Sequence, residues 1–242
     1  MRIKDKINLD INGLLKHGPI TIVALGDSVT HGAFEPDCID YNSVYHNLLA
    51  KKINKVNNYV PVNVINAGIG GTTAKDGVSR LDNQVLAHNP DLVIVCFGLN
   101  DVNNPLNEYL TSLKIIFEKC NNYGVETVFL TPNMLNTYVA ENTCEQYYEY
   151  AKITAKMQND GKMDEYIFSA VNLANSMGVK VANAYLKWKE LSKTTDTTLL
   201  LANYINHPTR EMHELFANEI FNCIFDGEIN STNTTNSTMF EK

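Results

Sequence analysis

The chain has 242 residues, a formal net charge of −7, and a composition that is 44% apolar and 19% charged. That length and balance fit one globular domain with a sizeable core, and an acidic chain without a basic run excludes a nucleic-acid surface. No stretch approaches the roughly 20 apolar residues of a bilayer span, and Met1 to Lys6 holds no apolar core of signal-peptide length, so a soluble, cytoplasmic protein is expected.

After an amphipathic opening segment and a break at Gly18-Pro19, the apolar run Ile20 to Leu25 reads as a first strand. It ends in Gly26-Asp27-Ser28-Val29-Thr30-His31-Gly32, which places the Ser28 hydroxyl at the C-terminal edge of a sheet, where open α/β proteins keep their ligand crevice. On this stretch alone two readings stand: Ser28 is a nucleophile awaiting a base, or Asp27 and Ser28 cap the following turn. A helix with Val44, Leu48, Leu49 and Ile53 on its apolar face follows, then a second strand from Pro61 to Ile65. Asn66 to Thr73 is a glycine-rich turn that opens another helix, with Val78, Leu81, Val85 and Leu86 at helical spacing.

The third strand, Leu92 to Phe97, is a continuous apolar run of the buried parallel kind and ends in Gly98-Leu99-Asn100-Asp101. A helix from about Pro105 to Tyr123 stops at Gly124, and a fourth strand spans Val125 to Leu130. The tyrosine-rich segment Met134 to Tyr150 reads as a loop walling a cleft, ahead of a helix running to about Met177. Val179 to Ala182 supplies a fifth short strand, a helix forms around Trp188, and a last helix starts near Thr209. Strands alternating with helices imply a parallel sheet with right-handed crossovers and helices on both faces, so the turns named above share one sheet edge. One domain is expected over residues 1–228, followed by a polar, disordered tail over 229–242. That tail carries Asn-x-Thr sequons at Asn230, Asn233 and Asn236, read as disorder rather than glycosylation. Cys38, Cys96, Cys120, Cys144 and Cys223 are odd in number and scattered, as reduced thiols in a reducing compartment would be.

Asn206-His207-Pro208 stands just before the last helix, and His207 is the candidate base for Ser28. His31 reads as a turn residue and His213 as part of the exposed side of the last helix, and no spacing suggests a metal site. These blocks resemble, in order and spacing, the SGNH or GDSL-type hydrolases: Gly26-Asp27-Ser28 with Thr30 and Gly32, then Asn66 to Thr72, Gly98-Leu99-Asn100-Asp101, and His207-Pro208. The resemblance implies a flavodoxin-like three-layer α/β/α sandwich with a five-stranded, mainly parallel sheet. It also implies Ser28 as nucleophile, His207 as general base, and an oxyanion hole from the Ser28 N–H, the Gly71 N–H and the Asn100 side chain. No cofactor and no metal are implied.

The sequence departs from that family at one point. The family carries an aspartate three residues before the histidine, and here that position is Tyr204. The candidates to orient His207 are Asp196, the Asn206 side chain, or a main-chain carbonyl in the Ile205 to Asn206 turn, the last being preferred because a neutral nearby acceptor needs no loop excursion. The functional expectation is hydrolysis of short acyl esters, such as acetyl on a carbohydrate, through an acyl-enzyme. A thioesterase or lysophospholipase of the same mechanism, and a non-catalytic binder that kept the cleft, are the alternatives. The partner is then a small-molecule or carbohydrate ester, and oligomeric state is left open.

Overall fold

The computed structural model describes residues 1–225. Five strands, β1 (Ile20–Gly26), β2 (Val62–Gly68), β3 (Leu92–Cys96), β4 (Glu126–Leu130) and β5 (Lys180–Ala182), form one entirely parallel sheet in the order β2-β1-β3-β4-β5. The apolar runs dictate this arrangement. Every residue of β3 and nearly every residue of β1 is buried, as strands covered on both faces must be. The chain reverses direction across the sheet after β2, which lies on one side of β1 while β3 lies on the other. That reversal makes the C-terminal ends of β1 and β3 the topological switch point, where an α/β sheet leaves a crevice between diverging loops.

Among the described residues ten α-helices surround the sheet: α1 (Ile3–Lys6), α2 (Ile11–His17), α3 (Ser28–His31), α4 (Tyr45–Val56), α5 (Ala74–Gln84), α6 (Leu106–Tyr123), α7 (Tyr148–Asn159), α8 (Lys162–Ser176), α9 (Ala184–Leu191) and α10 (Arg210–Phe225). Packing of α4 on α10 builds one outer layer, and α5, α6 and α8 build the other. The result is the three-layer α/β/α sandwich, with a sheet parallel throughout rather than mainly so.

Two readings of the sequence are corrected here. The helix expected to reach Met177 is two helices, α7 and α8, interrupted at Asp160-Gly161, where Gly161 takes φ 78° in the left-handed region open to glycine. His213 is not on the exposed side of the last helix; it is fully buried. Its Nδ1 accepts the Tyr45 N–H at 3.2 Å and its ring lies 4.8 Å from that of Phe34, so the side of α10 read as polar is the side that meets α4. The tail over 229–242 and its three sequons lie outside the described residues.

Candidate active site

In the turn after β1 the capping falls to Asp27 alone. Asp27 is the N-cap of α3, its Oδ1 accepting the Val29 N–H at 3.0 Å, which leaves the Ser28 side chain unclaimed by the cap. Ser28 Oγ instead lies 3.0 Å from His207 Nε2. The turn is packed to the backbone: a Cβ on Gly26 would meet Cys96 O at 2.6 Å, so only glycine lets β1 and β3 run this close before diverging.

His207 reaches Ser28 from the turn that precedes α10. The main chain of that turn is fixed by one atom, Asn203 Oδ1, which accepts the N–H groups of Ile205, Asn206 and His207 at 3.0, 2.9 and 2.9 Å. The ring is fixed at its other nitrogen, where Nδ1 lies 3.0 Å from the main-chain oxygen of Phe34. A carbonyl only accepts, so Nδ1 carries the proton and Nε2 presents its lone pair to the Ser28 hydroxyl. Burial lowers the His207 pKa below the usual histidine value, with the Phe34 carbonyl partly opposing it, which favours the neutral ring.

The structure therefore corrects the expected identity of the orienting group. It is a main-chain carbonyl, but it comes from Phe34, in the loop after α3, and not from the Ile205 to Asn206 turn. Asp196 is engaged elsewhere: it accepts the Tyr138 hydroxyl at 2.7 Å and caps the turn at Thr198 N at 3.0 Å. The Asn206 side-chain oxygen accepts from Asn203 Nδ2 at 2.9 Å. Tyr204 sits in a left-handed backbone conformation, φ 59°, and lines a neighbouring cavity away from the His207 ring.

Gly71 and Asn100 come to the same place from the ends of β2 and β3. With Ser28 and His207 they line a cavity of about 580 Å³, walled by the loop from Ala33 to Ile39 on one side and by Tyr147 and Tyr150 on another. Gly71 takes φ 77° with open space where a side chain would stand, so its peptide can face the cavity. One hydrogen of the Asn100 amide is donated to Thr72 O at 2.9 Å, and the second remains available. His31 also lines the cavity, its Nδ1 3.4 Å from Gly70 N, a closer association than a plain turn residue would have.

Below the cavity lies a buried polar layer that the sequence did not announce. Arg80 of α5 donates to Gly26 O at 2.8 Å and to Ala67 O, lacing the ends of β1 and β2 together. Asp101 Oδ1 accepts the Ala74 N–H at 2.9 Å at the start of α5. Burial pushes the Asp27 carboxyl up to about 7 and the Asp101 carboxyl up to about 6, the hydrogen bonds from Val29 and Ala74 only partly compensating. Asp76 could have pointed to Arg80 as a helical neighbour, but nothing in the sequence says that the guanidinium turns inward to the strand ends. Among the described residues no group of three or more His, Cys, Asp or Glu could hold a metal ion, and no helix is long and apolar enough to cross a membrane.

A hydroxyl–imidazole pair at the C-terminal edge of a parallel sheet, beside a cavity lined by a glycine peptide and an amide side chain, is the arrangement of a serine hydrolase on an open α/β scaffold. The chain belongs to the GDSL-like lipase/acylhydrolase family, which it matches over residues 24–215, and it is accordingly an ester-hydrolysing serine hydrolase. Solved structures share the fold. An acetylxylan esterase, Axe2 from Geobacillus stearothermophilus, is 20% identical with a TM-score of 0.66, covering 85% of this chain and 94% of that one. A G-D-S-L family protein from Desulfitobacterium hafniense is 20% identical with a TM-score of 0.61, covering 84% of this chain and 98% of that one. Three solved forms of Axe2 are catalytic mutants at a serine, at a histidine, and at an aspartate three positions before that histidine. No curated protein matches the chain.

Proposed function

We propose that the protein cleaves short acyl esters, with acetyl groups on a carbohydrate as the leading substrate class, through an acyl-enzyme on Ser28. The observation that carries this reading is the 3.0 Å approach of His207 Nε2 to Ser28 Oγ, in a ring whose tautomer the Phe34 carbonyl dictates. As Ser28 Oγ attacks the ester carbonyl, its proton passes to His207 Nε2 and the carbonyl oxygen becomes an oxyanion. Three donors from the ends of three neighbouring strands face that oxygen: the Ser28 N–H, which as the first helical position of α3 has no intrahelical acceptor, the Gly71 N–H, and the second hydrogen of the Asn100 amide. Collapse expels the alcohol, which takes the proton from Nε2. Water, deprotonated by the same nitrogen, then attacks the acyl-enzyme and releases the acid.

The absence of a carboxylate behind His207 is compatible with this chemistry. In serine proteases, aspartate-to-asparagine replacement at that position costs about ten-thousandfold in kcat because it leaves the wrong tautomer. A carbonyl acceptor preserves the right one and gives up only part of the stabilisation of the imidazolium. Support for a sugar as the alcohol comes from the walls of the cavity, where Tyr147 and Tyr150 offer rings for an apolar sugar face and Asn203 and Asp37 offer polar edges. The structural neighbour that is an acetylxylan esterase points the same way. The test is a series of p-nitrophenyl esters from acetate to octanoate alongside acetylated xylo- and gluco-oligosaccharides. The reading expects kcat/KM to fall about tenfold or more along the alkyl series and acetate to be released from at least one sugar; a rise with chain length would move the assignment to a lipase-like or lysophospholipase activity.

A further inference from the structure

The carbonyl that faces His207 belongs to a loop, and a carbonyl is only as well placed as the loop that carries it. The bonds within that loop set its shape: Phe34 N donates to Cys38 O at 3.0 Å, Asp40 N donates to Gly32 O at 2.9 Å, and Ala33 pairs with Ile39 in an isolated bridge. None of them fixes its distance from the turn that holds His207. Four residues of the loop converge on one cation from the far side of the sequence. Arg210, the first residue of α10, donates from Nε to Asp40 Oδ2 at 3.0 Å and from its two terminal nitrogens to the Glu35 carboxylate at 2.7 and 3.2 Å. One terminal nitrogen also lies 3.5 Å from Cys38 Sγ, and the guanidinium carbon sits 4.4 Å from the centre of the Phe34 ring. The Phe34 ring packs in addition on His213 of the same helix.

We propose that Arg210 is a positioning residue for the base: by gripping Glu35, Asp40 and the Phe34 ring, it holds the Phe34 carbonyl against His207 Nδ1 and so fixes the tautomer that no side-chain acid fixes among the described residues. The proposal rests on the reading of His207 as the base. Its geometry is economical, since Arg210 and His207 lie three residues apart, while everything Arg210 grips lies on the loop that bears the carbonyl. A planar fork that meets one carboxylate with two nitrogens and a second with Nε sets an orientation as well as a distance, which an ammonium on a flexible stem cannot do. The Arg210 and Glu35 side chains are 37% and 46% exposed. Ion pairs that face water to this extent add little to global stability, so the consequence of losing them is expected in the local geometry of the loop and not in the melting temperature.

The experiment uses the full chain with p-nitrophenyl acetate and histidine-selective nitrogen NMR, comparing wild type with Arg210→Ala and, separately, with Glu35→Gln/Asp40→Asn. The expectation is a loss of about tenfold to a hundredfold in kcat for both variants, the scale of a misplacement of about 1 Å, with KM changed much less. With it, the His207 resonances should pass from a single Nδ1–H form to a mixture of the two neutral tautomers. Retention of kcat within about twofold in either folded variant overturns the proposal, and so does a loss of kcat with the Nδ1–H form undisturbed, because the clamp would then act on something other than the base. Should Arg210→Ala fail to fold, the carboxylate variant reads the same two quantities. Ser28→Ala is measured alongside: full activity there defeats the nucleophile assignment, while the tautomer readout still decides on the clamp.

Discussion

Ser28 and His207, the pair proposed to carry the chemistry, are held in opposite ways. Ser28 stands on ground built into the core: Asp27 is fully buried, Arg80 laces the ends of two strands, and Asp101 holds the start of α5 beneath the cavity. His207 is held from the rim, its main chain by the Asn203 amide and its ring by a carbonyl on a loop that polar, part-exposed contacts retain. The position of Ser28 is thus tied to the stability of the sheet, whereas that of His207 depends on contacts whose loss the sheet would survive. Damage to the supports beneath Ser28 should appear as unfolding, and damage to the contacts that hold His207 in place as a graded loss of rate in a folded protein.

The largest expected effect breaks the pair itself. Ser28→Ala and His207→Ala should each lower kcat by up to about a millionfold with the fold intact, and the double variant should be no worse than either, because the two groups act as a unit. Ester turnover that survives in Ser28→Ala above the no-enzyme blank would show that the attack comes from elsewhere. Next, Asn100→Ala should cost about a hundredfold to a thousandfold in kcat with KM nearly unchanged, as removal of one oxyanion donor does. A rise in KM at constant kcat would make Asn100 a substrate-binding residue instead.

On the core side, Arg80→Met should destabilise the protein by about 3 kcal/mol, since the Gly26 and Ala67 carbonyls lose a buried donor, and thermal unfolding followed by circular dichroism would register it. An effect of comparable size sharpens the contrast through pH. The Asp27 carboxyl titrates near 7 in the fold against the usual carboxylate range in the unfolded chain, so its burial costs stability that grows as pH rises from about 4 to 7. Asp27→Asn keeps an acceptor for the Val29 N–H and removes that charge; its melting temperature should match wild type at pH 4 and exceed it at pH 8, and equal melting temperatures at both would contradict the raised pKa. The buried histidines run the other way, His46 held down to about 4 and His213 to about 3, so their contribution is intact above about 6.5 and is lost as pH falls. The smallest effect is the most pointed about the base: Asp196→Asn should leave kcat within about twofold, because Asp196 serves Tyr138 and a turn and does not touch His207. A thousandfold loss at unchanged melting temperature would restore it as the missing acid.

What could be read from the chain follows the same division. The strands and the positions of Ser28, Gly71 and Asn100 were legible because a buried parallel strand is a continuous apolar run, and the turn that ends it must carry glycine and small polar residues. The break between α7 and α8 was also written, as Asp160-Gly161, but the apolar spacing on either side outweighed it. The orienting carbonyl was not legible, since a main-chain oxygen leaves no mark on residue identity and Phe34 lies 173 positions from His207. For the same reason His213 was misread: its burial depends on α4, an element that the periodicity of α10 cannot reveal. Asn203 stands only four residues before His207, yet its grip on three successive amides is a property of the folded turn and not of the spacing.

The left-handed backbone at Tyr204 bears on how such an enzyme could be rebuilt. A tyrosine at φ 59° carries on the order of 1 kcal/mol of strain, and its side chain lines the cavity next to that of His207. An aspartate grafted there would meet a ring whose Nδ1 is already donated to the Phe34 carbonyl. A designer seeking a triad would therefore have to displace that carbonyl from Nδ1 as well as supply the acid. Evolution from the present arrangement faces the same obstacle, with asparagine or glycine, which tolerate this conformation, the easiest changes open to position 204.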